Sequence, residues 1–227
     1  MAFFKVNTSE DDIRDYTGGN SKYINDSGMY PVTIKHVIAD TTAKGSEYVN
    51  LWIEYEGQLQ PIYQAIRLTN NDGSPNFGRP LFNKLCIIAG CTENDEVDDP
   101  VEMKVPMGKG GEEVDCMVLE QFDDLPVIMR IQMEYRLYEG KIQETKIIRN
   151  FFRYEDKATA SEIVNDSDEK GKQYNIELES ADKVVYKDDL TKEDIDAWKQ
   201  SRRSDKKEDT SKKPSGGFGQ KRTFGKK

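Results

Sequence analysis

The stretch that decides the fold is residues 47–68, which read EYVNLWIEYEGQLQPIYQAIRL. Aliphatic residues alternate with polar and aromatic residues on both sides of Glu56-Gly57, which is the pattern of two half-buried strands. Gly at the second position of a two-residue loop favours a tight hairpin turn. We therefore predict a β-hairpin with one aliphatic face and one face of rings and polar groups.

A second, longer hairpin is predicted over residues 127–154. Apolar residues occupy every second position of its first half, and the chain turns at Glu139-Gly140 before a β-rich run returns. Both hairpins thus turn on the same Glu-Gly pair, and the sequence has no other internal repeat. The two turns predict two antiparallel ribbons of the same kind.

The remaining segments place the two hairpins in an order typical of an OB barrel. An alternating strand at 30–38 precedes the first hairpin, and a helical stripe at 77–90, opened near a Pro and closed by a Gly, follows it. A short strand at 101–105 and a β-like segment at 114–122 come before the second hairpin. The order predicts a mainly β fold, an OB-type five-stranded barrel with inserted strands and appended C-terminal helices.

Changes in composition predict the domain organisation. We expect an N-terminal arm at 1–28, an OB-type domain at 29–155, a helical extension at 156–200 and a disordered basic tail at 201–227. Within the extension, helices are expected at 158–165 and 172–185. Thr191 and Asp194 resemble a capping box that opens a short helix through Trp198.

The charge distribution is uneven and bears on the class of partner. The net charge is −9, but residues 199–227 hold eleven Lys and Arg against three acids, a local charge of +8. The preceding 198 residues therefore carry −17. An acidic body argues against general duplex binding, yet it allows a small positive groove, because phosphate binding depends on local charge.

We expect neither a membrane span nor a secretory signal. No stretch approaches the ~20 consecutive apolar residues that a spanning helix needs, and the N-terminus lacks a charged region followed by an apolar one. Three cysteines at irregular spacing are typical of reduced thiols. We expect no membrane partner and a cytoplasmic location.

Pairing outward from the two turns predicts which side chains share a face. In the first hairpin Tyr48 is expected opposite Ala65, and one face holds Tyr48, Trp52, Tyr63 and Arg67. In the second hairpin one face holds Arg130, Arg136, Tyr138, Lys141, Arg149, Phe151 and Arg153. Rings on which bases stack and cations that neutralise phosphates are the two requirements of single-strand binding. These faces are therefore candidate nucleic-acid contacts.

The alternative for each face is that β-propensity alone explains the pattern, and a one-residue slip in register would undo the assignment. Other chemistry is weakly indicated. The possible zinc ligands are His36, Cys86, Cys91 and Cys116. They lack the paired C-x2-C spacing that is typical of zinc sites. No nucleotide-binding, nucleophile-elbow or metalloprotease motif occurs, and a nuclease that uses carboxylates and a metal has no visible ligand spacing. We expect no catalysis, metal or cofactor.

Several short segments are similar to one known family. They include Gly28-Met29-Tyr30-Pro31-Val32-Thr33-Ile34, Tyr48-Val49-Asn50-Leu51, Thr69-Asn70-Asn71-Asp72-Gly73, Asn76-Phe77-Gly78 and Leu81-Phe82-Asn83-Lys84-Leu85, and the similarity spans about residues 20–200. The family they resemble is one of tailed-phage proteins generally described as single-stranded DNA-binding. The resemblance implies an OB-like core that coats single strands during phage replication, recombination and repair in the cytoplasm of an infected bacterium.

The tail departs from what is common among single-stranded DNA-binding proteins. Many of these end in an acidic segment tipped with an aromatic residue, whereas Phe218 and Phe224 lie among Lys, Arg and Gly. The resemblance implies that phage replication or recombination proteins are further partners. A second hypothesis therefore stays open: a strand-annealing or replisome adaptor that acts mainly through protein contacts.

Overall fold

The computed structural model describes residues 22–93, 95–107 and 111–211, without the side chains of Tyr63 and of 203–211. Its strands are β1 Gly28–Thr41, β2 Glu47–Tyr55, β3 Gln58–Arg67, β4 Val101–Val105, β5 Val114–Val118, β6 Leu125–Tyr138, β7 Lys141–Arg153 and β8 Val185–Tyr186. Its helices are α1 Arg79–Ile88, α2 Ala160–Val164, α3 Lys172–Leu178 and α4 Lys192–Ser211. The fold is mainly β, as predicted.

Both predicted hairpins form, and their turns share one conformation. Glu56 and Gly57 have φ values of 49° and 72°, and Glu139 and Gly140 have φ values of 50° and 71°. Two consecutive residues with positive φ are the signature of a type I′ turn, whose twist matches that of the flanking strands. The Glu-Gly pair therefore predicts both turns correctly.

The chain divides into two compact units. The first unit contains the chain up to Met133 together with Thr145–Val184, and the second contains Glu134–Glu144 and the chain from Val185 onward. The second hairpin thus contributes its base to the first unit and its tip to the second.

In the first unit, β1 is the central strand. It pairs antiparallel with β2 over 33–41, with β6 over 28–34 and with β5 at Ile38 and Ala39. The strand order is β3-β2-β1-β5-β4, and β6 joins β1 and β7 off this path. The sheet is open, because β3 pairs only with β2 among the described strands. The predicted OB-type five-stranded barrel is thus not confirmed.

The main core lies between the inner faces of the sheet and α1. Val49, Leu51 and Ile53 of β2 are fully buried in it, as are alternate residues of β6. Phe82, Leu85 and Ile88 of α1 pack against them, which confirms the predicted helical stripe. The predicted arm also takes part, since Ile24 is 1% exposed and its N–H donates to Gln60 Oε1 at 3.1 Å.

The second unit is centred on Tyr135. This ring is 1% exposed, stacks on Tyr186 with centroids 6.0 Å apart and meets Trp198 edge-on at 6.2 Å. The hydroxyl and backbone N–H of Thr191 donate to Asp194 of α4 at 2.7 and 2.9 Å, which confirms the Thr-Asp cap.

Two predictions about the C-terminal elements are wrong in extent. α3 ends at Leu178 rather than at 185, and Val185–Tyr186 forms β8, which pairs parallel with Glu134 and Tyr135 of β6. α4 continues to Ser211, so residues 201–211 of the expected disordered tail are helical. The rest of that tail, 212–227, and residues 1–21 of the arm lie outside the described residues. Among the helices that the structure does describe, none combines the length and apolar character that crossing a bilayer requires.

Candidate nucleic-acid interface

The first hairpin keeps its predicted faces although its register shifts. Trp52 lies opposite Pro61 as predicted, but Tyr48 lies opposite Arg67 instead of Ala65. The shift falls between Val49 and Leu51, where β3 contains two residues more than β2. Because strand side chains alternate with period two, a shift of two positions leaves each residue on its expected face.

Tyr48, Trp52 and Arg67 share the face of β2–β3 that points away from the main core. Their neighbours Val49 and Leu51 are fully buried on the other face. The Tyr48 hydroxyl donates to Asp40 Oδ2 at 2.7 Å, and this hydrogen bond raises the pKa of the tyrosine. The hydroxyl is therefore held in its neutral form, and one edge of the ring is fixed to β1.

A groove of about 570 Å³ opens on this face, which we call the Trp52 groove. Its lining residues are Ile38, Ala39, Asp40, Asn50, Trp52, Pro61, Ile62, Met107, Asp115, Cys116 and Met117. The β4–β5 hairpin supplies one wall, where Trp52 packs on a small second cluster that contains Val105 and Val118. The volume is in the range of small-ligand sites, which run from roughly 300 to 1,000 Å³. The groove thus combines a half-buried ring with open space beside it.

Phe77 is a candidate contact that the analysis of strand faces missed. Its side chain is 94% exposed in the turn that precedes α1. The following residue, Gly78, packs so closely on the backbone of Arg67 that a Cβ there would clash with it. The predicted helical stripe begins at Phe77, but α1 begins at Arg79; the signal in the sequence was an aromatic residue next to Gly78, outside the buried set of the stripe.

The second hairpin agrees with its predicted pairing next to the turn, and its predicted faces fail further along β7. The Arg136 guanidinium donates to Gln143 Oε1 at 3.1 Å, as expected for cross-strand partners. Further along β7, Ile148 and Phe151 both lie in the main core although they are three residues apart. Alternation therefore breaks between them. Phe151 is 0% exposed, so its predicted role as a base-stacking ring is wrong.

Arg130 does not belong to an exposed basic face. Its guanidinium donates to Glu177 Oε2 of α3 at 2.8 Å and to Ser180 Oγ at 3.1 Å, and its side chain is only 16% exposed. Burial alone would raise the pKa of Glu177, but hydrogen bonds from Arg130, Gln173 and Asn150 outweigh burial and lower it. The prediction that Arg130 faces nucleic acid is wrong, because α3 covers it.

The other predicted residues of the second hairpin have different surroundings. Arg153 Nε donates to Asp156 at 2.9 Å, and exposed Arg149 donates to Gln132 at 2.7 Å. Arg136, Tyr138 and Lys141 are exposed but belong to the second unit. The structure therefore places Tyr48, Trp52 and Arg67 on one face of the first hairpin, whereas burial or ion pairing removes Phe151, Arg130 and Arg153 from the predicted set of the second.

The residues considered for metal binding are spread over the fold. Cys86 lies in α1, where burial raises the pKa of its thiol to about 12, and His36 lies 3.3 Å from Asp123. Within the described ranges, no group of three or more His, Cys, Asp or Glu side chains could hold a metal ion.

No family model matches the chain, and no curated protein does either.

Proposed function

We propose that this protein binds single-stranded DNA without sequence specificity and without catalysis. The observation that carries the proposal is the joint placement of Tyr48, Trp52 and Arg67 on one face beside the Trp52 groove. Rings offer stacking surfaces to any base, and a guanidinium neutralises a phosphate. Arg67 is exposed, and no hydrogen bond or ion pair engages it in the described part of the chain.

The order of elements supports an OB-type interpretation of the open sheet. β1 pairs with both β2 and β6, α1 follows β3, and β6–β7 supplies the last two strands, with β4–β5 as an insertion. An OB-fold is a partly open five-stranded Greek key that presents one sheet face and its loops to oligonucleotides. An open seam between β3 and β7 is compatible with that description.

The biological setting in this proposal comes from the resemblance alone. Segments such as Tyr48-Val49-Asn50-Leu51 and Asn76-Phe77-Gly78 are similar to tailed-phage single-stranded DNA-binding proteins. They include Asn50 in the groove and exposed Phe77. We therefore place the activity in phage replication, recombination and repair, inside the infected bacterial cell.

The test is a fluorescence anisotropy titration of the full chain with a labelled mixed-sequence oligonucleotide, single-stranded or in a duplex, at several salt concentrations. We expect single strands to bind more tightly than the duplex. The logarithm of the association constant K should fall linearly with log salt, because Lys and Arg of the protein displace counterions from the phosphates. Absence of binding to the single strand would contradict the proposal. Equal binding of the duplex would indicate an architectural protein instead.

Intrinsic fluorescence can assign the binding to the groove. The chain has two tryptophans, and Trp198 belongs to the second unit. A Trp198→Phe variant leaves Trp52 as the single indole. We expect its emission to be quenched on addition of the oligonucleotide, since a base stacked on the ring changes its environment. A variant that binds with unchanged emission would place the contact elsewhere.

A further inference from the structure

Asn50 lies on the floor of the Trp52 groove, between the two rings of the same face. Along β2 it is two residues from Tyr48 and two from Trp52, so the three side chains project to one side. Its cross-strand partner on β1 is Ile38, which also lines the groove. The carboxamide is half-buried, and no hydrogen bond engages it within the described ranges.

The charge of the groove favours a base over a phosphate. Asp40 and Asp115 line it, and no Lys or Arg does so among the described residues. Asp40 accepts from the Tyr48 hydroxyl and from the Thr41 N–H, and an ionised carboxylate keeps further acceptor capacity after two such bonds. A phosphate would meet like charge here. The amino group of a base would meet acceptors.

We propose that the Trp52 groove takes one unpaired nucleobase with an exocyclic amino group, its plane against the Trp52 ring and its edge toward Asn50. This inference rests on the proposed function and adds a modest base preference at one position to a binding that otherwise accepts any single strand. The carboxamide oxygen accepts from the amino group, and its NH₂ donates to the neighbouring ring nitrogen. Cytosine and adenine offer that pair of groups. Thymine has no amino group and turns a carbonyl toward the Asp40 acceptors.

The same contact separates single strands from duplexes. In cytosine, the amino group and the adjacent ring nitrogen are engaged in Watson–Crick pairing inside a duplex; adenine keeps its amino group and N7 accessible in the major groove, but its face is covered by the neighbouring bases of the stack. Only an unpaired nucleotide can offer that edge to Asn50 while its face rests on Trp52. Arg67 lies on the same face and does not line the groove, so the phosphate of the bound nucleotide stays outside it.

The test compares two homopolymers of equal length, oligo-dC and oligo-dT, by anisotropy with the full chain at one salt concentration. Both are pyrimidines and differ mainly in the edge that they present. We expect oligo-dC to bind about fivefold more tightly or better, since one well-placed pairing gives at least that discrimination. Equal affinity would overturn the inference and leave the proposed function standing. Failure of both homopolymers and of mixed-sequence single strands would overturn the proposed function as well.

Two variants and a control assign the preference to Asn50. Asn50→Leu keeps the bulk and removes both hydrogen-bonding groups, so the ratio of the two affinities should fall toward one, with Asp40 alone left to disfavour the thymine carbonyl. Asn50→Asp keeps the acceptor and removes the donor, so oligo-dT should weaken more than oligo-dC and the preference should persist. Asn175→Leu, on the exposed surface of α3, should leave the ratio unchanged. A ratio that survives in Asn50→Leu, or one that Asn50→Asp reverses, would show that another residue reads the base.

Discussion

The two hairpins have the same turn but differ in the surroundings of their arginines: the one in the first is exposed, and two of those in the second are paired with acidic residues. In the first, Arg67 is exposed beside Tyr48 and near a groove. In the second, Arg130 is enclosed by Glu177 and Ser180, and Arg153 is paired with Asp156. The comparison teaches that a cation on the polar face of a ribbon is available to a ligand only where no later segment packs on that face. In the second hairpin, α3 and the turn after β7 are those segments.

The largest effect that would test this comparison is on stability. Arg130→Ala removes the partner of Glu177, whose side chain is 12% exposed. Breaking a buried ion pair from one side typically costs about 3–5 kcal/mol, because a charge is left without compensation. We expect a loss of that order in the free energy of unfolding by urea denaturation. Lys104→Ala, at an exposed position of β4, is the control and should change stability by about 0.5 kcal/mol or less.

The next effect concerns the first hairpin and is on binding. Trp52→Ala should weaken single-strand binding by about 1–3 kcal/mol, roughly 5- to 150-fold in Kd, because one base loses its stacking surface. Trp52→Phe should keep most of the affinity, since it retains a ring. Anisotropy titrations measure both, and thermal midpoints show whether each variant is folded. A Trp52→Ala protein that is folded and binds normally would remove the groove from the interface.

A smaller effect distinguishes the exposed cation from the paired one. Arg67→Gln removes one charge from the face beside the groove and should reduce the slope of log K against log salt by about 1. Arg153→Gln should leave that slope unchanged, because this guanidinium is committed to Asp156. Equal reductions in the two variants would show that both hairpins contact phosphates and that the contrast between them is wrong.

The smallest effect is a pH dependence in the second hairpin. The hydrogen bond from Arg153 lowers the pKa of Asp156 from 3.8 to about 2. A lowered carboxyl pKa contributes stability that is fully present above the unfolded value and is lost as pH falls through the folded value. The loss should therefore occur between about pH 4 and pH 2. Asp156→Asn should flatten the unfolding free energy in that window, and an unchanged pH profile would show that the pair adds nothing.

Local rules predict the turns and most of the faces. Glu56-Gly57 and Glu139-Gly140 determine both type I′ turns, and the alternation in β2 predicts the buried set Val49, Leu51 and Ile53. The face of Trp52 follows from the same alternation. These features depend on residues near one another in the chain, so the sequence contains the information needed to place them.

The errors in the predicted faces arise from irregular positions in the strands. The number of additional residues at such a position decides whether the following side chains change face. Two additional residues in β3 leave the face of Arg67 unchanged, whereas the break between Ile148 and Phe151 moves Phe151 into the core. A change by two preserves side-chain direction and a change by one reverses it. The cover over Arg130 depends on Glu177, which is 47 positions away in the chain, so no local pattern could predict it.

Two glutamines determine what can attach to the outer edge of β3. Gln64 Oε1 accepts from the Ile148 N–H at 2.7 Å, and Gln60 Oε1 and Nε2 bond the backbone of Ile24 and Lys22 at 3.1 and 3.0 Å. An edge strand with free peptide groups invites a strand from another molecule. Here side-chain amides link that edge to the chain's own backbone at two levels, which leaves little room for a foreign strand to continue the sheet. We expect this protein to resist domain swapping and edge-to-edge aggregation at β3 for as long as both amides are present.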